Sequence, residues 1–303
     1  MNVLVVGGTG FVGKALVDLL FRRGDTCQVF FHGDKVVQPG TLPLPQALFA
    51  PAVIAGADAV INLAGENIAG SRWTEAVRRR ILTSRVDTTR QIVRSIRRNR
   101  ELGFAYPSVL INASAAGYYG TDPSRWFDED SSSGHDFLAE VCRQWEAEAM
   151  QAEALGLRVV RFRFGHILER DGGLLSRVAI PFRYGLGGYL GHGRQWISWI
   201  HRKELIHIIL LALEQDRWHG AYNLCTPNAV TMKDFMKVLG NALGSKSRTF
   251  LPSFVVRLLF GEMADIILLK GQRVYPKRLL QQGYVFQYPF LAETLADIYH
   301  PDR

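Results

Sequence analysis

Cysteine is scarce in this chain: 303 residues contain three, Cys27, Cys142 and Cys225. An odd number so widely spaced forms neither a disulfide framework nor a zinc spacing, so reduced thiols and no bound metal are expected. Long apolar runs are lacking as well. No segment reaches the length of a membrane span, and Met1 runs into an apolar strand with no charged n-region or cleavage site. A cytoplasmic protein with no membrane partner is expected. Repeats and low-complexity tracts are missing too. Core material is plentiful, since 48% of the residues are hydrophobic, enough for one large domain or for a large and a small one.

Acidic residues are the minority charge, 28 Asp and Glu against 36 Lys and Arg, for a formal net charge of +8. Such an excess attracts nucleic acid when a reading surface carries it. Here much of the arginine gathers in one predicted helix (Arg78, Arg79, Arg80, Arg85, Arg90, Arg94, Arg97, Arg98 and Arg100), with no aromatic platform or reading helix beside it. That pattern reads as a solvated helix face, not as a nucleic-acid partner site. The sequence leaves oligomeric state open.

The residues that point to chemistry stand at the start. Gly7, Gly10 and Gly13 set a Gly-x-x-Gly-x-x-Gly loop directly after the apolar strand Val3–Val6 and directly before an amphipathic helix. Strand, glycine turn and helix together bring backbone N–H groups and a positive helix end to a pyrophosphate. Gly7 permits the turn, Gly10 lets phosphates approach the backbone, and Gly13 lets the helix pack close to the strand. Thr9, Phe11 and Val12 sit between these glycines and join the expected cofactor contacts. Glycines kept only for packing are the bland alternative, and the strand–turn–helix context argues against it.

Strands and helices then alternate. Cys27–Phe31, Ala59–Leu63, Ser108–Ala113 and Arg158–Arg163 read as strands; Phe11–Arg23, Thr74–Arg98 and Phe137–Leu155 read as helices, the last ended by Gly156. From Gly33 to Ala57 the chain is broken by Pro39, Pro43, Pro45 and Pro51, which predicts an abbreviated part of the sheet. The fold class is α/β, a Rossmann-type doubly wound parallel sheet with a smaller C-terminal α/β region. Residues 181–196 form a glycine-rich loop of a length that compact domains keep for function. Helix Lys203–Glu214, strand Ala221–Cys225, helix Met232–Leu243 and a segment Ser253–Gly271 complete the pattern. Ligands in open α/β sheets sit beyond the carboxyl ends of the strands, so Gly7–Phe11, Leu63–Glu66, Ala113–Tyr118 and Phe164–Ile167 are expected to meet in one cleft.

A series of motifs carries a family resemblance: GGTGFVG from Gly7, INLAGENI from Ile61, SRW from Ser71, SRVDTT from Ser84, ASAAGYYG from Ala113, Trp145-Glu146, FRYGLGG from Phe182, GRQWISWIH from Gly193 and GQRVYPKRL from Gly271. Spread over essentially the whole chain, they are similar to an atypical branch of the extended short-chain dehydrogenase/reductase superfamily. Its members are the "epimerase family" proteins, also labelled sugar-nucleotide epimerase-like or cell-division-inhibitor-like. The resemblance implies an NAD(P)-binding Rossmann domain over residues 1–165, a substrate-side region with returning elements over 166–249, and a small C-terminal domain of unknown function over 250–303.

Cofactor choice turns on the end of the second strand. NAD enzymes place Asp or Glu there, whereas NADP enzymes place a positive group for the 2′-phosphate. This chain has Phe31-His32-Gly33-Asp34-Lys35, so His32 and Lys35 form a candidate clamp and NADP is the expected cofactor; Asp34 keeps NAD open. Similar family members carry Arg at the position of His32, and an exposed surface imidazole is its bland reading. By resemblance, Leu63, Ala64 and Gly65 lie along the adenine-side ribose and phosphates, with Arg85 near the dinucleotide. Ala113 and Ser114 lie beside the nicotinamide ribose, and Ile167 meets the carboxamide end.

The superfamily's working parts are a serine, a tyrosine that exchanges a proton with substrate, and a lysine four residues later that lowers the tyrosine pKa. Ser114 is in place. Counting back from Glu146, however, Leu138 and Cys142 stand where the Tyr-x-x-x-Lys pair belongs, and Tyr118 is followed four residues on by Asp122. Ser114 and Tyr118 are the catalytic candidates, a packing role being the alternative for Tyr118. Glu66, Arg72, Gln195, Trp199 and His201 are candidates for a polar or nucleotide-linked substrate; the bland readings are interdomain core for Trp199 and a cap for His201. The expected function is an oxidoreductase or nucleotide-sugar-epimerase-like enzyme. The alternative is an NADP(H)-binding regulatory or interaction protein without turnover.

Overall fold

Val3 to Val6, Ala59 to Ile61 and Val109 to Ile111 are uninterrupted apolar runs, as strands covered on both faces require. The computed structural model, which describes residues 1–30, 50–245 and 249–300, assembles them accordingly. Its main sheet contains β1 (Asn2–Val6), β2 (Thr26–Phe30), β3 (Ala59–Asn62), β4 (Val109–Ala115), β5 (Arg158–Phe164) and β6 (Gly220–Leu224), in the order β6-β5-β4-β3-β1-β2. Every pairing in this sheet is parallel. The chain leaves β1 toward β2 on one side and returns as β3 on the other. The strand order therefore reverses between β1 and β3, where a crevice opens.

Helices cover both faces. On one, α1 (Gly13–Arg22) buries Leu16, Val17 and Leu20, and α4 (Arg202–Glu214) buries Leu205, Ile208 and Ile209. On the other, α2 (Glu75–Glu101) buries Ile92, Val93 and Ile96, and α3 (Phe137–Met150) contributes Ala149. Each fully buried aliphatic side chain contributes about 1.5–3 kcal/mol, so the helix stripes hold the layers together. Caps fix where the helices begin: Thr74 accepts from the Val77 N–H at 3.3 Å, and Asp136 from that of Ala139 at 2.9 Å. On α2, Arg79, Arg80, Arg94, Arg97, Arg98 and Arg100 face solvent, whereas Arg78 and Arg90 pair with Glu262 and Glu148.

Three sequence expectations change in detail. Helix α3 stops at Met150, and Glu153–Leu155 is a separate turn closed by Gly156 at φ 90°. The glycine-rich loop is not wholly irregular, because Gly188–Leu190 pairs in parallel with Thr249–Leu251. Residues 253–271 divide into a helix, Ser253–Phe260, and a widened helical turn, Ala264–Leu268. The proline-broken stretch falls mostly outside the described residues, apart from the short helix Pro51–Ala55. A second core, built on Trp199, Phe235, Leu239 and Leu295, supports the C-terminal side. Among the described residues, no helix is long and apolar enough to cross a membrane.

Candidate functional site

The glycine turn is shaped by close approach. Gly7 turns at φ +85°, and a Cβ there would lie 2.8 Å from the Leu63 carbonyl; at Gly13 it would lie 2.3 Å from the Gly7 oxygen. At Gly10 it would meet only that same oxygen, at 3.2 Å. Gly7 and Gly13 thus close the turn against its own backbone, and Gly10 leaves an open, exposed face at the start of α1.

That face opens into a cavity of about 440 Å³ at the crevice between β1 and β3. The ends of β1, β3, β4 and β5 all reach it, through Gly7–Val12, Leu63–Asn67, Ala113–Gly117 and Phe164–Ile167. Arg85 lines it from α2, donating to the carbonyls of Ile81 at 3.0 Å and Glu66 at 2.9 Å, with its guanidinium 5.3 Å from the Trp145 ring centre. Among the described residues no carboxylate lies within ion-pair distance of it, and burial lowers its pKa. Behind Arg85, Thr89 accepts from Asn62 at 2.8 Å and from the Trp145 indole at 3.0 Å, which ties α2 to β3 and α3. A guanidinium held this way is a fixed positive charge facing the cavity.

The opposite wall belongs to α3, where Leu138, Val141, Cys142 and Trp145 face inward. Burial pushes the Cys142 thiol up to about 12, so it is neutral and behaves as a small apolar group. Ser114, at the end of β4, donates its hydroxyl to Glu146 Oε1 at 2.7 Å. Glu146 is also held by Arg163 at 2.8 and 2.9 Å and by Arg161 at 3.1 Å. Arg163 donates onward to the Tyr119 hydroxyl at 2.9 Å, which donates to Asn223 Oδ1 at 2.7 Å. Burial opposes the charge on Arg163, yet the Glu146 contacts outweigh it and raise the guanidinium pKa. This buried chain of charges and hydroxyls links β4, α3, β5 and β6 behind the cavity.

The C-terminal segment covers the cavity with Ile266, Ile267 and Gln272. Gln195 donates to the carbonyls of Leu190 at 3.0 Å and Leu268 at 2.8 Å. Ser198 donates to the Gln272 carbonyl at 2.8 Å and accepts from the Val274 N–H at 2.9 Å. Arg273 is stacked between Trp126 and Trp196, 3.6 and 3.9 Å from their ring centres, while Arg273–Val274 pairs in parallel with Trp126–Phe127.

Several predicted site residues stand apart from the cavity. Tyr118 lies on Arg163, 3.5 Å from guanidinium to ring centre, and does not join Ser114 at the cavity wall; the partnership expected of the two is replaced by Ser114 with Glu146. Trp199 is wholly buried in the second core, its indole donating to the Asn228 carbonyl. His201 caps α4, accepting from the Lys203 N–H at 2.9 Å while its other nitrogen faces Asp297 at 3.1 Å. Burial lowers its pKa against the pull of Asp297. Gln195 is spent on anchoring the cover, and Arg72 is exposed beside Gly261. Thr9 flanks the turn without lining the cavity, and the Phe11 ring is occupied by Gly172 and Arg202. His32 and Lys35 lie outside the described residues. Gly7, Gly10, Phe11, Val12, Leu63, Ala64, Gly65, Glu66, Arg85, Ala113, Ser114 and Ile167 meet around one space.

Sequence comparison fits this arrangement. Residues 3–225 match the pattern of the NAD-dependent epimerase/dehydratase family, and residues 251–298 match a domain of unknown function, DUF1731. The chain belongs to the NAD-dependent epimerase/dehydratase family. Among its epimerase-family relatives, the mouse protein SDR39U1 is 39% identical over 304 residues, covering 98% of this chain and 99% of the relative. YfhF of Bacillus subtilis is 36% identical over 303 residues, covering 98% of each. The crystal structure of human SDR39U1 with NADPH superposes with a TM-score of 0.88 at 34% identity, covering 99% of both chains. UDP-glucuronic acid 4-epimerase from Bacillus cereus, solved with UDP-glucuronic acid and NAD, shares the fold at a TM-score of 0.77 and 17% identity, covering 99% of this chain and 98% of that one.

For this epimerase-family chain, sequence reasoning overlooked three polar residues on the cavity wall, His166, Ser198 and Gln272. Burial lowers the His166 pKa to about 4, so the ring is neutral near pH 7. Its position directly after Gly165 at a strand end was the available signal. Glu146 was also readable, because Arg161 and Arg163 inside an otherwise buried strand require a carboxylate.

Proposed function

We propose that the chain binds NADP(H) in this cavity and acts as an oxidoreductase or epimerase-like enzyme. The observation that carries the reading is the glycine turn: Gly7 and Gly13 closed on backbone, Gly10 open at a helix start, and Arg85 facing the same space with no carboxylate partner among the described residues. That set suits a pyrophosphate, with the N–H groups around Phe11 and Val12 and the Arg85 guanidinium as donors. Leu63, Ala64 and Gly65 flank the adenine side, and Ala113, Ser114 and Ile167 the nicotinamide side. Bound there, the cofactor supplies two-electron redox chemistry. The NADPH-bound human relative supports NADP over NAD, and His32 and Lys35 are the proposed clamp for its extra phosphate.

Ser114 is the proposed substrate contact. Because its proton is directed to Glu146, its oxygen meets a substrate hydroxyl as an acceptor, and Glu146 and Arg163 fix its orientation. The free, buried cysteines are consistent with a cytoplasmic setting. A second reading, an NADP(H)-binding regulator without turnover, draws support from Leu138 and Cys142, which leave the α3 wall without a proton donor where the superfamily carries one. Titration calorimetry with NADPH and NADH tests the cofactor, and equal affinities would reject the preference. Following reduced-nicotinamide absorbance over a panel of carbonyl compounds and nucleotide sugars, with epimer analysis by NMR, separates enzyme from regulator. In an active enzyme, Ser114→Ala lowers turnover about a hundredfold while NADPH affinity is retained.

A further inference from the structure

The cavity wall away from the glycine turn is made of carbon. Leu138 and Val141 on α3, together with Ile266 and Ile267 in the C-terminal cover, present aliphatic side chains to it. Cationic groups are sparse. Among the described residues the lining contains one arginine, Arg85, and no lysine, and Arg85 already donates to two carbonyls on the glycine-turn side. Its carboxylate, Glu66, carries the sign that repels phosphate.

These facts bear on the size and charge of what binds beside a dinucleotide. A sugar nucleotide brings a second pyrophosphate, which in a partly dry cleft needs cationic or amide donors of its own. One glycine turn and one guanidinium serve a single dinucleotide. The whole space lined by the described residues, about 440 Å³, lies toward the small end of ligand cavities, so a dinucleotide on its glycine-turn side restricts any neighbour to a compact molecule. The polar side chains that line the cavity with no hydrogen-bond partner among the described residues include His166 and Gln272. A neutral imidazole and a carboxamide suit an uncharged oxygen.

We propose that the substrate of this cavity is a neutral, apolar carbonyl compound or the matching alcohol, its oxygen at His166 and Gln272, where the alcohol's hydroxyl also donates to Ser114, and its hydrocarbon body against Leu138, Val141, Ile266 and Ile267. The assignment rests on the reading that the cofactor occupies the glycine-turn side. It replaces the polar or nucleotide-linked substrate expected from the sequence, because Gln195, Trp199 and His201 are committed elsewhere.

The test uses the full chain, with and without NADPH, and saturation-transfer NMR against 2-octanone, acetophenone and UDP-glucose, followed by titration calorimetry. Both ketones should receive saturation in either state, and UDP-glucose should receive none with NADPH bound and should not compete with the ketones. Ile267→Asn should weaken ketone binding about tenfold while NADPH affinity stays within about twofold. Leu258→Ser, on an exposed helix face outside the cavity, should leave ketone binding unchanged and so exclude surface adsorption. UDP-glucose binding in competition with the ketones, absence of ketone binding, or ketone binding that ignores Ile267→Asn would each overturn the proposal. Failure of NADPH to bind, read from the same titrations, strikes the cofactor reading instead, since the contrast between ketone and sugar nucleotide is measured in both states.

Discussion

On the glycine-turn side of the cavity the surface is backbone, and its shape follows from atoms that are missing: no Cβ fits at Gly7 or Gly13. Across the cavity, on α3, the surface is side chain, and its character follows from which side chains were chosen, Leu138 and Cys142 at the positions where the superfamily resemblance implies a tyrosine and a lysine. The first wall tolerates almost no variation, so it retains its ligand chemistry. The second accepts any side chains that fill the space, so its chemistry is free to diverge. A fold can therefore keep its cofactor side while its substrate side changes class.

The largest effect should come from the charges that hold the α3 wall. Replacing Glu146 by Leu leaves Arg161 and Arg163 without their carboxylate in the interior, and urea denaturation should show a loss of about 3–5 kcal/mol. A loss below about 1 kcal/mol would mean that this wall stands on packing alone. The backbone wall should fail differently. At Gly10 an added Cβ meets only the Gly7 oxygen, at 3.2 Å, so Gly10→Asp acts chiefly by setting a negative charge against the pyrophosphate: NADPH affinity should fall at least a hundredfold, about 3 kcal/mol, with little change in the denaturation midpoint. If the midpoint fell with the affinity, Gly10 would be structural like its neighbours.

A smaller effect is expected from pH. The unfolded His166 ring protonates near 6.5 and the folded one only near 4, so between those values the unfolded chain binds more protons and stability falls as the pH is lowered. Between pH 7 and pH 5 the ring should account for about 2 kcal/mol of lost stability, by the proton-linkage relation. His166→Leu should remove that part of the slope, and an unaltered slope in the variant would show that the ring is not held neutral. The smallest effect is expected at Tyr118. Its ring lies on Arg163 and its hydroxyl has no protein partner among the described residues, so Tyr118→Phe should change stability by less than about 0.5 kcal/mol. Turnover should stay within about twofold, and a hundredfold drop would return Tyr118 to the reaction.

The backbone wall was legible in the sequence because its signals are local: an apolar strand, three glycines at fixed offsets, and a helical stripe within Met1–Arg23. The strand ends at Leu63, Ala113 and Phe164 followed from the same alternation. The α3 wall was legible only as an absence, the missing Tyr–Lys pair. What fills that place depends on how Ile266 and Ile267 fold back, more than a hundred residues downstream. Gln195, Trp199 and His201, whose polar groups are bonded within the chain, were hard to read for a related reason: a polar side chain beside a glycine loop looks the same whether its partner is a ligand or a distant carbonyl. Arg161 and Arg163 gave a clearer signal, because a buried strand bearing two cations must meet an anion.

The fastening of the C-terminal cover has a kinetic meaning. Gln195 holds the Leu268 carbonyl, Ser198 bridges Gln272 and Val274, and Arg273 is pressed between two indoles. Raising Ile266 and Ile267 requires several of these contacts to break together, so a route past that segment opens only when they do. A bound cofactor that had to pass that way would be held longer and would travel with the protein from one encounter to the next.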